Sequence, residues 1–406
     1  MATRKEDFSF QRKLEQEIEL WLKEGLIAPD QKGRILARYR GLKEADEKAG
    51  PGKLITTISI LGSILIGIGA ILFIASNWSF INKWGKLLII FCSMSASYGL
   101  GFYFRYEKVS YPKVGASLIL LGSLIFGAGM FLIAQMYHIT VHYPNGPLLW
   151  GLGVLPLAYL LRFKSLVSLA ILDLLIWLGM EASFWITYSS NYEIVTMVNL
   201  YFMAGVTLWG IGLMHREWQS LRIISSPYII LGSLITLSAG YILTFEVFEL
   251  SFRSETLLMF YIGIVTLFLL SVVPRFLSKE KEKGWGIEIL GLFILMGIVL
   301  YLSLSFPEMS SKAFKGGFRL FFNILFALEI FGLIILGFIK RYPTYVNIGL
   351  LFFALDVVAR YFDLFWALLP RSLFFIIGGL FLLFGGILLE RKRRKILSSF
   401  NIEETV

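Results

Sequence analysis

The sequence predicts an all-α polytopic integral membrane protein, with about twelve transmembrane helices preceded by a short cytoplasmic helical hairpin. Three observations predict it. Of the 406 residues, 57% are hydrophobic and 16% charged, and the mean hydropathy is +0.73, well outside the range of soluble domains. Apolar stretches of the ~20 residues that a bilayer crossing needs recur along the chain. Basic residues alternate between successive loops in the pattern that sets membrane orientation.

The elements follow in order. Residues 1–50 are charged and helix-forming, and FSFQRKLEQEIELWLKEGLIAPDQKGRILARYRGL reads as two helices. Leu14, Ile18, Trp21 and Leu22 share one face of the first, and Ile35, Leu36, Tyr39 and Leu42 one face of the second. Gly25 suits a helix C-cap and Pro29 the first turn of the next helix. A hairpin this small buries too little to stand alone. Its apolar faces are expected to dock on the bundle or on a protein partner. Nothing in it resembles a cleavable signal peptide, so the amino terminus is expected in the cytoplasm.

Residues 51–390 form the bundle, with spans near 54–76, 86–104, 114–136, 147–161, 165–185, 194–214, 223–244, 256–274, 286–306, 317–339, 344–362 and 371–389. The fourth is the shortest and carries Pro156, which makes eleven or thirteen crossings the alternatives. LGSILIGIG at 61–69 resembles LGSLIFGAG at 121–129, and LGSLI recurs at 231–235. Such repetition suits two six-span halves, and chance in Leu, Gly and Ile-rich text suits it equally. Ser123 and Gly127 make a small-xxx-small pair that would let helices approach closely. Residues 391–406 are a basic cytoplasmic tail, whose ERKRRK run at 390–395 should meet anionic lipid headgroups.

With both termini inside, eighteen Lys and Arg after the amino-terminal region fall on the cytoplasmic side, against eight in the outer loops and spans together. That asymmetry fixes the expected orientation. The net charge of +10 is therefore topological and does not imply nucleic acid. One cysteine, Cys92, excludes an internal disulfide. No GK[ST] phosphate loop, HExxH or GxSxG occurs, so no ATPase, zinc-protease or serine-hydrolase signature is present. No cofactor is implied.

LWLKEGLIAPDQ at 20–31, ILFIASNW at 71–78, GAGMFLIAQMYHI at 127–139 and LLWGLGVLPLAYLLR at 148–162 occur in that order. Together they resemble the bacterial predicted membrane proteins grouped as domain of unknown function 2157, specifically over about residues 10–165. The resemblance implies a cytoplasmic helical segment followed by many spans, and it carries no activity. It marks Asn77, Trp78, Gln135, Tyr137 and His138 as a candidate motif at the outer ends of the first and third spans.

An ionisable group in hydrocarbon costs ~3 kcal/mol or more, so each one needs a partner, water or the interface. The candidates for an intramembrane polar site are Asp173, Glu329, Asp356, Arg360 and Asp363. Asp356, Arg360 and Asp363 stand at i, i+4 and i+7, on one stripe of a helix, where Arg360 can bond either acid. This ladder either fixes helix packing or lines a polar cavity. Glu329 has no basic neighbour within a turn, so it bonds another helix or stays protonated, as acids at that depth do in proton-coupled transport. Glu181 lies close enough to the outer end to be solvated. His138 and His142 have helical metal-ligand spacing, but β-branched residues and Pro144 interrupt the helix, and no metal is expected.

Two functions suit this pattern. One is a transporter or flippase that moves a small or amphipathic substrate through a cavity lined by the fifth, tenth and eleventh spans. The other is a non-catalytic membrane scaffold or envelope-assembly factor whose residues 1–50 recruit a cytoplasmic protein. An intramembrane enzyme on lipid-linked substrates is a third, and it requires the carboxylates to converge.

Overall fold

The computed structural model describes residues 17–22, 24–28, 30–32, 80–108, 111–139, 142–188, 194–245, 257–278, 284–305 and 312–365, with 373, 375–380, 383–387 and 390–391. The first expected span and most of the expected hairpin lie outside them. The chain divides into two units, Met1–Lys86 and Leu87–Val406. In the first, residues 17–22 are helical. Gly25 then takes φ +72, and the amide of Leu26 bonds the carbonyl of Trp21 at 2.9 Å. The left-handed glycine expected to stop this helix is present.

Ten long helices follow: α1 Lys83–Phe102, α2 Pro112–Met136, α3 Asn145–Leu160, α4 Lys164–Tyr188, α5 Ile194–Glu217, α6 Ser225–Leu243, α7 Leu258–Leu277, α8 Trp285–Ser305, α9 Lys312–Ile339 and α10 Pro343–Phe365. A shorter apolar helix covers Phe375–Ile387. Among the described residues there is no strand, and nine helices are long and apolar enough to cross a membrane. The exception among the ten is α3. Its 16 residues reach about 24 Å at 1.5 Å each, short of the ~30 Å hydrocarbon thickness.

The two helices at the centre of the bundle are α5 and α6. In their membrane-spanning windows 72% and 61% of residues are buried, against 33% for α7 and 28% for α10. Helix α5 packs on α6, α7 and α8, and α6 on α9 and α10. Small residues bring the central pair together. A Cβ on Gly232 would lie 2.5 Å from the Trp209 amide nitrogen and 2.8 Å from the Gly205 carbonyl oxygen, so the two backbones touch there. Gly232→Leu is expected to lower stability by about 1–3 kcal/mol or more by overpacking. Gly263→Ala on α7, where a Cβ meets nothing within 4 Å, should be neutral or stabilising in the same denaturant titration.

The LGSLI repeat is used differently in its two described copies. Gly122 packs on the Tyr98 ring, whereas Gly232 packs on backbone. Ser123 and Gly127 do not bring two backbones together. Their notch holds the Trp150 indole, which a Cβ on Gly127 would strike and whose Nε1 donates to the Ser123 carbonyl at 3.0 Å. The copy at 61–69 lies outside the described residues.

Candidate functional site

Glu329 sits on α9 between two ionic layers. Lys340 lies eleven residues beyond it and Arg319 ten before it, about 16 and 15 Å along the helix axis. Together these rises match the ~30 Å hydrocarbon thickness. Glu329 is therefore about midway between the two layers.

At the Lys340 end a charge cluster is buried where α5, α7, α8, α9 and α10 meet. The Lys340 ammonium pairs with Glu288 Oε2, and their side chains are 2% and 1% exposed. The other oxygen of Glu288 accepts from the Tyr345 hydroxyl at 2.6 Å and the Trp209 indole at 3.1 Å. That indole also donates to the Tyr345 hydroxyl at 2.8 Å. Arg275 pairs with Glu217 beside them, and the Arg216 guanidinium lies 5.0 Å from the Tyr342 ring centre. The placement is electrostatically favourable, because Glu288 is in the first turn of α8 and Lys340 directly follows α9, each complementing a helix dipole. Buried charges require partners of this kind.

At the Arg319 end the ladder of α10 is closed by ion pairs. Arg360 donates to Asp356 at 3.3 Å and to Asp363 at 3.5 Å, bonding both acids rather than one. It also reaches Thr244 Oγ1, at the end of α6, at 2.7 Å. Arg319 of α9 completes the layer with a 2.8 Å bond to Asp363, and Asn323 donates to the Thr244 carbonyl at 3.2 Å. These groups are a quarter to nearly half exposed, so each bond is worth ~1 kcal/mol or less. Together they tie α6, α9 and α10.

Between the layers lies a cavity of about 270 Å³, lined by α5, α6, α8 and α9. Trp209 and Glu288 stand at one end, Thr236 and Leu237 form the inner wall, and Glu329 is among the residues that line it. Neither carboxylate oxygen of Glu329 has a hydrogen-bond partner. Its Oε2 lies against Gly240 of α6, where a Cβ would come within 3.0 Å of it. A buried polar group without a partner is costly, so its retention calls for an explanation.

The remaining sequence candidates lie elsewhere. Asp173, 2% exposed, faces Gly151 of α3 with its Oδ2 unbonded, and it does not line the cavity. Of the expected cavity spans only the tenth, α9, contributes. Glu181 is not simply solvated: it accepts from the Trp185 indole at 2.9 Å and bonds His142 Nε2 at 2.7 Å. Gln135 and His138 line a second, largely apolar cavity of about 870 Å³ with Ile90, Met94 and Phe126. Tyr137 follows α2 as its C-cap. Asn77 and Trp78 lie outside the described residues. Among the described residues no group of three or more His, Cys, Asp or Glu could hold a metal.

This second cavity is built from the segment whose motifs the sequence singled out. Residues 19–167 match the family described as predicted membrane protein (DUF2157). The DUF2157 match ends within α4, so Glu329, its cavity and both ionic layers lie beyond it. No curated protein and no solved structure matches the chain.

Sequence reasoning missed a third cluster. His215 Nδ1 bonds the Ile211 carbonyl at 2.7 Å, so it carries the proton, and Nε2 accepts from the Tyr159 hydroxyl at 2.7 Å. Tyr228 in turn bonds Tyr159 at 2.9 Å. This chain joins α3, α5 and α6. Its members are scattered in sequence, and no local spacing announces them.

Proposed function

We propose that the protein is a bacterial inner-membrane transporter or flippase, with both termini cytoplasmic, whose substrate passes the Glu329 cavity. One observation carries the proposal: Glu329, a carboxyl with neither oxygen bonded, lines a cavity about midway between two layers of ion pairs. A static bundle gains nothing from such a group, whereas a carrier needs an unsatisfied site that the substrate or a proton completes. The layers supply the barriers. The Glu288–Lys340 pair joins α8 to α9 at the end that the basic residues assign to the cytoplasm, and the Arg319–Asp363–Arg360 chain closes the other. Opening one layer at a time would expose Glu329 to each side in turn.

Leu325 and Leu333 line the cavity four residues to either side of Glu329, and single cysteines there test the reading. In a Cys92→Ser background and in oriented proteoliposomes, Leu333→Cys is expected to react with an impermeant maleimide from the cytoplasmic face, and Leu325→Cys from the outer face. Absence of labelling from both faces in both variants would refute alternating access.

A further inference from the structure

We propose that the Glu329 cavity binds a single-chain amphiphile bearing a protonated amine, admitted sideways from the bilayer between α8 and α9. The transport reading bears only on what happens after binding. The polar valences of the lining fix the headgroup. Glu288 is already satisfied by Lys340, Tyr345 and Trp209, and Thr236 Oγ1 bonds the Gly232 carbonyl at 2.8 Å. What stays open is Glu329, with two oxygens and no partner. Both are acceptors, so the ligand must bring a donor. No Lys, Arg or His lines the cavity, so a carboxylate or phosphate would meet Glu329 with no cation to offset it. An ammonium satisfies both oxygens and the charge.

The walls fix the rest of the ligand and its route. Apart from Glu288, Glu329, Thr236 and Trp209, the lining is Leu, Ile and Gly, which suits methylenes. On the rim Ile287, Ile294 and Leu328 are 61%, 49% and 64% exposed, so the cavity opens on the flank of the bundle. Gly291 of α8 and Gly332 of α9 both line it, and a Cβ on either meets nothing within 4 Å. The two helices are therefore held apart at this depth, although the Lys340–Glu288 pair joins them at one end. A volume of about 270 Å³ lies just below the ~300–1,000 Å³ of drug-sized sites. It holds a headgroup and a short part of a chain, the remainder trailing through the gap into lipid.

The test uses the full chain in nanodiscs of zwitterionic phospholipid. Dodecylamine brominated on its chain is titrated while tryptophan fluorescence is followed, since Trp209 lines the cavity. The equally brominated dodecanoic acid is the comparison. The amine should quench saturably, with an apparent Kd about tenfold or more below that of the acid, as one charge-assisted bond provides. Glu329→Gln should abolish that preference. Gly332→Leu should fill the gap and abolish amine quenching, and because it removes a helical glycine at an open position it should not lower stability.

Equal curves for amine and acid, or an amine curve unchanged in both variants, would overturn the proposal. The two readings fail separately. Amine-selective quenching without two-sided cysteine labelling supports this ligand and removes transport. Two-sided labelling without amine selectivity removes the ligand class and leaves transport standing.

Discussion

Lys340→Met is expected to lower the unfolding free energy by about 3–5 kcal/mol, the range for removing one partner of a buried ion pair. Lys340 and Glu288 are 2% and 1% exposed, so the carboxylate left behind could not recover its hydration. The loss should be largely a pair effect. Glu288→Gln keeps an acceptor for Tyr345 and Trp209 while removing the charge, and the double variant should regain half or more of the lost stability. Denaturant unfolding of the four proteins measures the coupling. Additive losses would mean that the two charges do not interact as the coordinates place them.

The second large effect has the opposite sign. Glu329→Leu is expected to raise stability by about 1–3 kcal/mol, because it removes a buried polar group that has no partner, while abolishing transport and amine selectivity. Improved stability with lost function marks a residue retained for what it binds. A structural hydrogen-bonding role predicts the reverse, a destabilised protein. The same denaturant titration distinguishes them.

Much of the fold was legible because bilayer crossing imposes a length and a composition that short-range text displays. The expected span at 194–214 became Ile194–Glu217, and that at 344–362 became Pro343–Phe365. The Asp356, Arg360 and Asp363 ladder was legible for a related reason, since all three lie on one stripe of one helix. Its closure was not: Arg360 reaches Thr244 across 116 residues, and Arg319 reaches Asp363 across 44.

The Lys340 layer was misread through the charge-asymmetry rule. Arg216, Arg275 and Lys340 all enter the charge asymmetry, but a sum over loops treats each as solvated. Arg275 and Lys340 are buried in ion pairs, and the Arg216 guanidinium lies against the Tyr342 ring. The one available signal was Glu288, an acid in the first turn of an apolar span with a lysine ending the next. Glu329 could be flagged because nothing basic stands near it in sequence. Its cavity could not, because its walls come from four helices, and the gap opposite Gly291 and Gly332 is a property of packing alone.

The central claim is that Glu329 is an unsatisfied carboxyl that a ligand entering from the lipid side completes, and a hydrophobic carbodiimide tests it most directly. Treating the protein in membranes with dicyclohexylcarbodiimide, followed by peptide mass spectrometry, should place the adduct on Glu329, with dodecylamine suppressing it. Glu288 and Asp356, held in ion pairs, and Asp173, turned toward α3 away from the cavity, should remain unmodified. An adduct on Asp173 or Glu288 with Glu329 untouched would contradict the account.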